Sequence, residues 1–141
     1  MSSTPAVNDS PVSLTGNGVP QLIAATVSPA SVTMTSPNNC NAANGGASCQ
    51  QQAFTLSNTG NVPLTGVGAG GLGSATQYSI VTLLSTCGTT GYTTLAPGQG
   101  CTVTVKFQPN ATGSSSATLT VPNAAPAANN HNTAAISGNA T

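Results

Sequence analysis

The chain has 141 residues but only one Lys, one Asp and one His; charged residues make up 1% and aromatic residues 3%, with no Trp. Globular chains usually carry about 25% charged residues. With so little charge, nothing can neutralise phosphates or draw the chain to anionic lipid, which argues against nucleic-acid binding and electrostatic membrane attachment. The length suits one domain, and its core has to come from Val, Leu, Ile and Ala.

In chain order, the first element lies at 11–16. Val12-Ser13-Leu14-Thr15-Gly16-Asn17-Gly18 is similar to Ala134-Ala135-Ile136-Ser137-Gly138-Asn139-Ala140, and Pro5-Ala6-Val7-Asn8-Asp9 to Pro126-Ala127-Ala128-Asn129-Asn130. The glycines Gly16 and Gly138 stand 122 positions apart and the prolines 121, a slip that a loop between matched segments absorbs. The N-terminus therefore reads as a second copy of the last strand. Residues 1–21 are assigned to this spare strand and a linker, and 22–141 to the domain.

Further strands are expected at 22–34 (broken at Pro29), 51–58, 61–68, 76–84, 100–108, 115–121 and 133–139. Their signal is period-2 alternation, as in Val103, Val105 and Phe107 against Thr102, Thr104 and Lys106. Turn residues separate them: Asn58-Thr59-Gly60-Asn61, Ala96-Pro97-Gly98-Gln99-Gly100, Gln108-Pro109-Asn110 and Pro122-Asn123. The segment 68–74 reads as a flexible connection and 122–132 as a longer loop. With 16 Gly and 10 Pro, no apolar helical period survives, so no helix is expected. Seven short strands at this spacing imply an all-β sandwich with one extra N-terminal strand.

Four cysteines, an even number, point to disulfides and an oxidising compartment. Eight residues separate Cys40 from Cys49 and 13 separate Cys87 from Cys101, spacings unlike the short pairs of a zinc site. Two local disulfides, Cys40–Cys49 and Cys87–Cys101, are the expected pairing. No metal site and no cofactor is expected.

His131 stands among Asn129, Asn130 and Asn132, without the orienting acid and nucleophile of a catalytic triad. Lys106 is out of phase with Val105 and Phe107 and is expected to face solvent, away from any Asn it might be joined to. The glycines of 66–73 precede no helix and no Lys-Ser/Thr, so they are not a phosphate loop. Asn8, Asn110 and Asn139 each open an N-x-Ser/Thr sequon, which chance produces readily in a chain this rich in Asn and Thr. No catalytic residue, enzyme activity or small-molecule substrate is expected. No run approaches a membrane span, and Met1-Ser2-Ser3-Thr4-Pro5 lacks the basic and apolar regions of a signal peptide.

The middle and end of the chain carry a recognisable pattern. It runs Phe54-Thr55-Leu56-Ser57-Asn58-Thr59-Gly60-Asn61-Val62-Pro63-Leu64, then Cys87. It continues with Leu95-Ala96-Pro97-Gly98-Gln99-Gly100-Cys101-Thr102-Val103-Thr104-Val105-Lys106-Phe107-Gln108-Pro109, then Thr112-Gly113. It ends with Ser116-Ala117-Thr118-Leu119-Thr120-Val121 and Ser137-Gly138-Asn139-Ala140. Over about 22–141 this resembles the immunoglobulin-like ASH/Hydin-type repeat domain of choice-of-anchor D bacterial surface proteins. The resemblance implies a seven-stranded Ig-like β-sandwich, tandem arrays on surface or secreted proteins, and no catalytic residues. Residues 35–50 depart from the pattern, which usually has a short cysteine-free turn there.

The functional expectation is a structural subunit of an extracellular filament or surface stalk, self-assembling head to tail by strand addition. Its partners are copies of itself. The intersubunit strand is Val12, Ser13, Leu14, Thr15 and Gly16, and the candidate acceptor or donor at the other end is Ala134, Ala135, Ile136, Ser137 and Gly138. The alternative is one module of a tandem-repeat surface adhesin, with 38–50 contacting a glycan or protein; the scarcity of aromatic residues argues against a sugar platform.

Overall fold

The computed structural model describes residues 16–40, 48–73, 76–89 and 91–141. Of the expected intersubunit strand, Val12, Ser13, Leu14 and Thr15 therefore lie outside the described residues; Gly16 is exposed and belongs to no strand.

The alternation of the sequence becomes two packed sheets. β1 (Ala25–Ser28), β3 (Gln51–Asn58), β6 (Tyr78–Ile80), β8 (Gly100–Phe107) and β10 (Asn130–His131) form a five-stranded sheet in the order β10-β1-β3-β8-β6. β2 (Ser31–Ser36), β5 (Gly71–Gly73), β9 (Gly113–Thr120) and β11 (Thr133–Ala140) form a four-stranded sheet in the order β2-β11-β9-β5. β4 (Leu64–Val67) and β7 (Thr93–Leu95) make a separate two-stranded pair. Among the described residues there is no α-helix, only two short 3-10 turns at Thr82–Leu84 and Ala127–Asn129. The protein is an all-β immunoglobulin-like sandwich.

The inward residues interdigitate: Phe54, Leu56, Val103, Val105 and Phe107 from one sheet meet Met34, Leu119 and Ile136 from the other, all fully buried or nearly so. Each such side chain contributes roughly 1.5–3 kcal/mol on leaving water. β11 shows the logic in its purest form, exposed and buried positions alternating over all eight residues.

The break at Pro29 has a topological meaning. β1 pairs antiparallel with β3 in one sheet, and after the cis Ser28–Pro29 peptide the chain crosses to pair β2 parallel with β11 in the other. One expected strand thus serves two sheets. The segment 68–74 is not wholly connection, since Gly71–Gly73 pairs with Thr118–Thr120 as β5. The strand expected at 76–84 stops at Ile80, where Thr104 of β8 binds the following turn through both its backbone and its side chain. The Thr104 hydroxyl donates to Leu84 O at 3.0 Å, and Ser85 Oγ accepts the Thr104 N–H at 3.0 Å.

The Asn-Thr-Gly turn is held by one buried side chain. Asn58 Nδ2 donates to Val62 O at 2.8 Å and Leu95 O at 2.9 Å, while its Oδ1 accepts the Gly60 N–H at 2.9 Å. Its backbone meets the Pro-Gly turn, donating to Gln99 O and accepting from Gly98 N–H. The two turn motifs read separately in the sequence are therefore one structure.

Candidate assembly interface

The sandwich has two ends, and the chain uses both. At one end Ala25 lies opposite Asn58, and the entering segment is tied to the neighbouring turn. Leu22 N–H donates to Asn61 Oδ1 at 2.7 Å, Asn61 N–H to Leu22 O at 3.0 Å, and Asn61 Nδ2 to Pro20 O at 2.9 Å. At the other end β11 finishes beside Gly113 and Ser36. There Thr141 N–H donates to Ser36 O at 3.1 Å and Asn38 N–H to Thr141 O at 2.9 Å. The eight residues of β11 span about 26 Å between these ends.

The entering segment is one of the places where large apolar side chains are exposed. Of the large hydrophobic side chains left exposed among the described residues, Val19 (80%), Leu22 and Ile23 belong to it. The others are Leu83 and Leu84, in the turn that follows β6, and Tyr92, just before β7. By contrast the outer face of the four-stranded sheet is polar and uncharged. Across it Thr33 lies opposite Ser137 and Ser137 opposite Ser116, all three exposed.

The edges decide where another strand can be added. Ala134, Ala135, Ile136, Ser137 and Gly138 all sit in β11, which is paired with β2 on one side and β9 on the other. As an acceptor this strand is therefore not open: a newcomer would have to displace β2 or β9. Ala134 and Ile136 are buried, and Gly138 runs directly over the stacked rings of Tyr78 and Phe107.

β2 is different, since among the described residues it pairs with β11 alone. Ala135 N–H donates to Ala30 O and Thr141 N–H to Ser36 O, so the even-numbered residues of β2 turn their backbone groups toward β11. Successive residues of a strand alternate in this respect, which leaves Ser31, Thr33 and Thr35 facing outward. Among the described residues one of their N–H groups has a partner, the Thr35 N–H, held by Gln50 Oε1. Sequence alternation revealed the strand but not this edge, because pairing partners are a property of topology.

The remaining singled-out residues are brought to no common site. Cys40 joins Cys49 and Cys87 joins Cys101, with Cα–Cα distances of 5.1 and 5.0 Å. The first bridge closes the 35–50 departure, of which residues 41–47 lie outside the described residues. His131 is exposed on β10, opposite Thr26. Lys106 is half-buried on β8, opposite Gln51 and Ser79. Among the described residues no three His, Cys, Asp or Glu side chains gather as metal ligands, and no helix is long and apolar enough to cross a membrane. A polar cleft beside Tyr78 is lined by Asn39, Thr76, Gln77, Gln108 and Asn110, without an ionisable group other than the tyrosine.

The same immunoglobulin-like sandwich fold recurs in solved structures. An ASH/PapD-like domain of human CEP192 superposes with a TM-score of 0.56 at 11% identity, over 92% of this chain and 95% of that one. The VesB protease of Vibrio cholerae superposes with a TM-score of 0.58 at 18% identity, over 83% of this chain. The chain spans 31% of the length of the VesB chain it matches. No protein-family model matches the chain, and no curated protein does so either. At these identities the likeness is one of fold. Together with the two disulfides, which belong to an oxidising compartment, it defines a small disulfide-bonded β-sandwich module.

Proposed function

We propose that the protein is a structural subunit of an extracellular filament or surface stalk, in which copies join head to tail by strand addition. The observation that carries this reading is the repeat of the closing strand at 12–18, placed just before the point where the chain enters the sandwich. A strand in excess of what one sandwich pairs exposes N–H and C=O groups that seek a partner. Entry and exit at opposite ends make a contact that does not close on itself, and such contacts give fibres rather than rings. The apolar entering segment supplies surface to bury at the junction, and the nearly charge-free exterior offers no repulsion between copies. The choice-of-anchor D resemblance supports a cell-surface setting and a chain without catalytic residues.

A second reading is favoured by the match to VesB, where the same fold occupies part of a longer chain. On that reading the protein is one module of a tandem surface adhesin, and 12–18 is the closing strand of a preceding module. Negative-stain microscopy of the purified full chain separates the two. Micrometre fibres that disappear in Leu14→Asp support assembly, since an unpartnered charge would enter an apolar contact. Dispersed particles from the unaltered chain refute it and leave the adhesin module.

A further inference from the structure

We propose that residues 11–16 of a second copy add to the outer edge of β2, running parallel to it, so that β2 becomes an inner strand. This rests on the head-to-tail reading above and assigns its acceptor. Direction is the first argument. A copy stacked beyond the entry end presents its exit end to the junction. The incoming segment runs out of that copy toward its exit end, the direction in which β2 and β11 run. Parallel pairing with β2 is also what the similar strand β11 already makes.

Reach and length agree. Beyond the tether at Pro20, residues 16–19 span about 13 Å, and β2 occupies the half of the sandwich next to the exit end. The six positions of 11–16 match the six residues of β2. Among the described residues the outward N–H and C=O groups of Ser31 and Thr33 and the Thr35 C=O have no partner; Thr35 N–H has one in Gln50. Val12 and Leu14, alternating with Ser13 and Thr15, give the newcomer one apolar face. Val32, half-buried at the rim of the core, is the side chain such a face would cover.

The competing edges are poorer. β5 and β6 are three residues each. The open half of β3 would pair antiparallel, and its Ala53 carbonyl is already taken by Gln52 Nε2. The slot of β11 is the serious rival, because Gly16 repeats the glycine that passes over Tyr78 and Phe107. Yet exchange there breaks as many strand pairings as it makes, and leaves one strand of each copy over. Addition to β2 breaks none.

Thr33→Pro tests the edge directly. A proline removes the outward N–H and places its ring in the path of an incoming strand, a substitution that edge strands tolerate. Its cost in the single copy is the exposed hydroxyl bond between Thr33 and Ser137, which Thr33→Ala also removes. The expected result is that the unaltered chain and Thr33→Ala form fibres while Thr33→Pro stays a folded, dispersed particle. Hydrogen exchange on the unaltered chain supplies a second reading should Thr33→Pro not fold: on assembly the Ser31 and Thr33 amides gain protection. Fibres from a folded Thr33→Pro, or protection gained at 71–73 or 78–80 instead, overturn the β2 assignment and leave head-to-tail assembly standing. Loss of protection in β11 on assembly would show exchange into its slot and overturn it equally. If the unaltered chain never assembles, both readings fall.

Discussion

Gly138→Ala should destabilise the domain, although alanine is ordinarily the better residue in a strand. A Cβ at this position would lie 2.6 Å from Phe107 Cζ and 2.8 Å from Cε2, and nearer still to the Tyr78 hydroxyl. Carbon atoms pack best at about 3.5–4.0 Å, so Phe107 has to retreat by about 1 Å. It has little freedom to do so. Phe107 is fully buried, its ring is stacked on Tyr78 at 4.8 Å, and the Tyr78 hydroxyl is tied to Ser115 Oγ at 3.0 Å. Overpacking of this kind costs about 1–3 kcal/mol, while the smaller unfolded-state entropy of alanine returns about 0.4–1 kcal/mol. The net loss is about 1–2 kcal/mol, which for a domain of this size lowers Tm by about 3–8 °C. Calorimetry or circular dichroism of the two proteins measures it. Phe107→Leu should lose stability by itself, yet the double variant should lose less than the sum, because the smaller side chain makes room for the new methyl. A Tm for Gly138→Ala that is unchanged or raised, or strict additivity in the cycle, would refute the steric account.

Other expected outcomes follow from the same structure. Asn58→Ala removes three side-chain bonds from a buried turn and should cost about 2–4 kcal/mol by thermal or denaturant unfolding. Replacing both Cys87 and Cys101 by Ala opens a loop with a sequence separation of 14 and should cost about 3 kcal/mol, or on the order of 10 °C in Tm. Non-reducing peptide mapping should recover the 40–49 and 87–101 linkages; a 40–87 or 49–101 peptide would contradict the pairing. Assembly followed by light scattering should hardly change between low and moderate salt, since one Lys and one Asp leave screening little to act on. Deleting residues 1–18 should leave a folded, dispersed domain, because every strand pairing described above lies within 25–140; fibres from the truncated chain would make 12–18 irrelevant to assembly.

The long strands were legible because alternation over eight residues is a strong signal. β3 lies where it was expected, and β8 and β11 fall within a residue of expectation. β5, β7 and β10 were not legible, since two or three residues such as Gly71–Gly73 or Asn130–His131 show no period and become strands through the neighbours that tertiary structure supplies. Pro29 announced a break but not a change of sheet, because alternation fixes a strand's faces and not its partners. For the same reason nothing in the alternation singles out Thr33, and its place on the edge emerged from topology. Asn58 and Gly138 were visible as motif letters. Their physical roles, pinning two turns together and clearing space over two rings, depend on residues 37 and 31 positions away.

The parallel pairing of β2 and β11 also fixes how the domain would bear tension. Force entering through residues 20–24 and leaving through Thr141 pulls these strands in opposite directions along their common axis, over a register that runs from Ala135 opposite Ser31 to Ala140 opposite Ser36. The hydrogen bonds between them are loaded together in shear rather than opened one after another as in a zipper. Rupture under force is governed by the unfolding barrier rather than by equilibrium stability, and collective loading raises that barrier. A domain of modest thermal stability can therefore be mechanically stiff, provided it is pulled from its two ends.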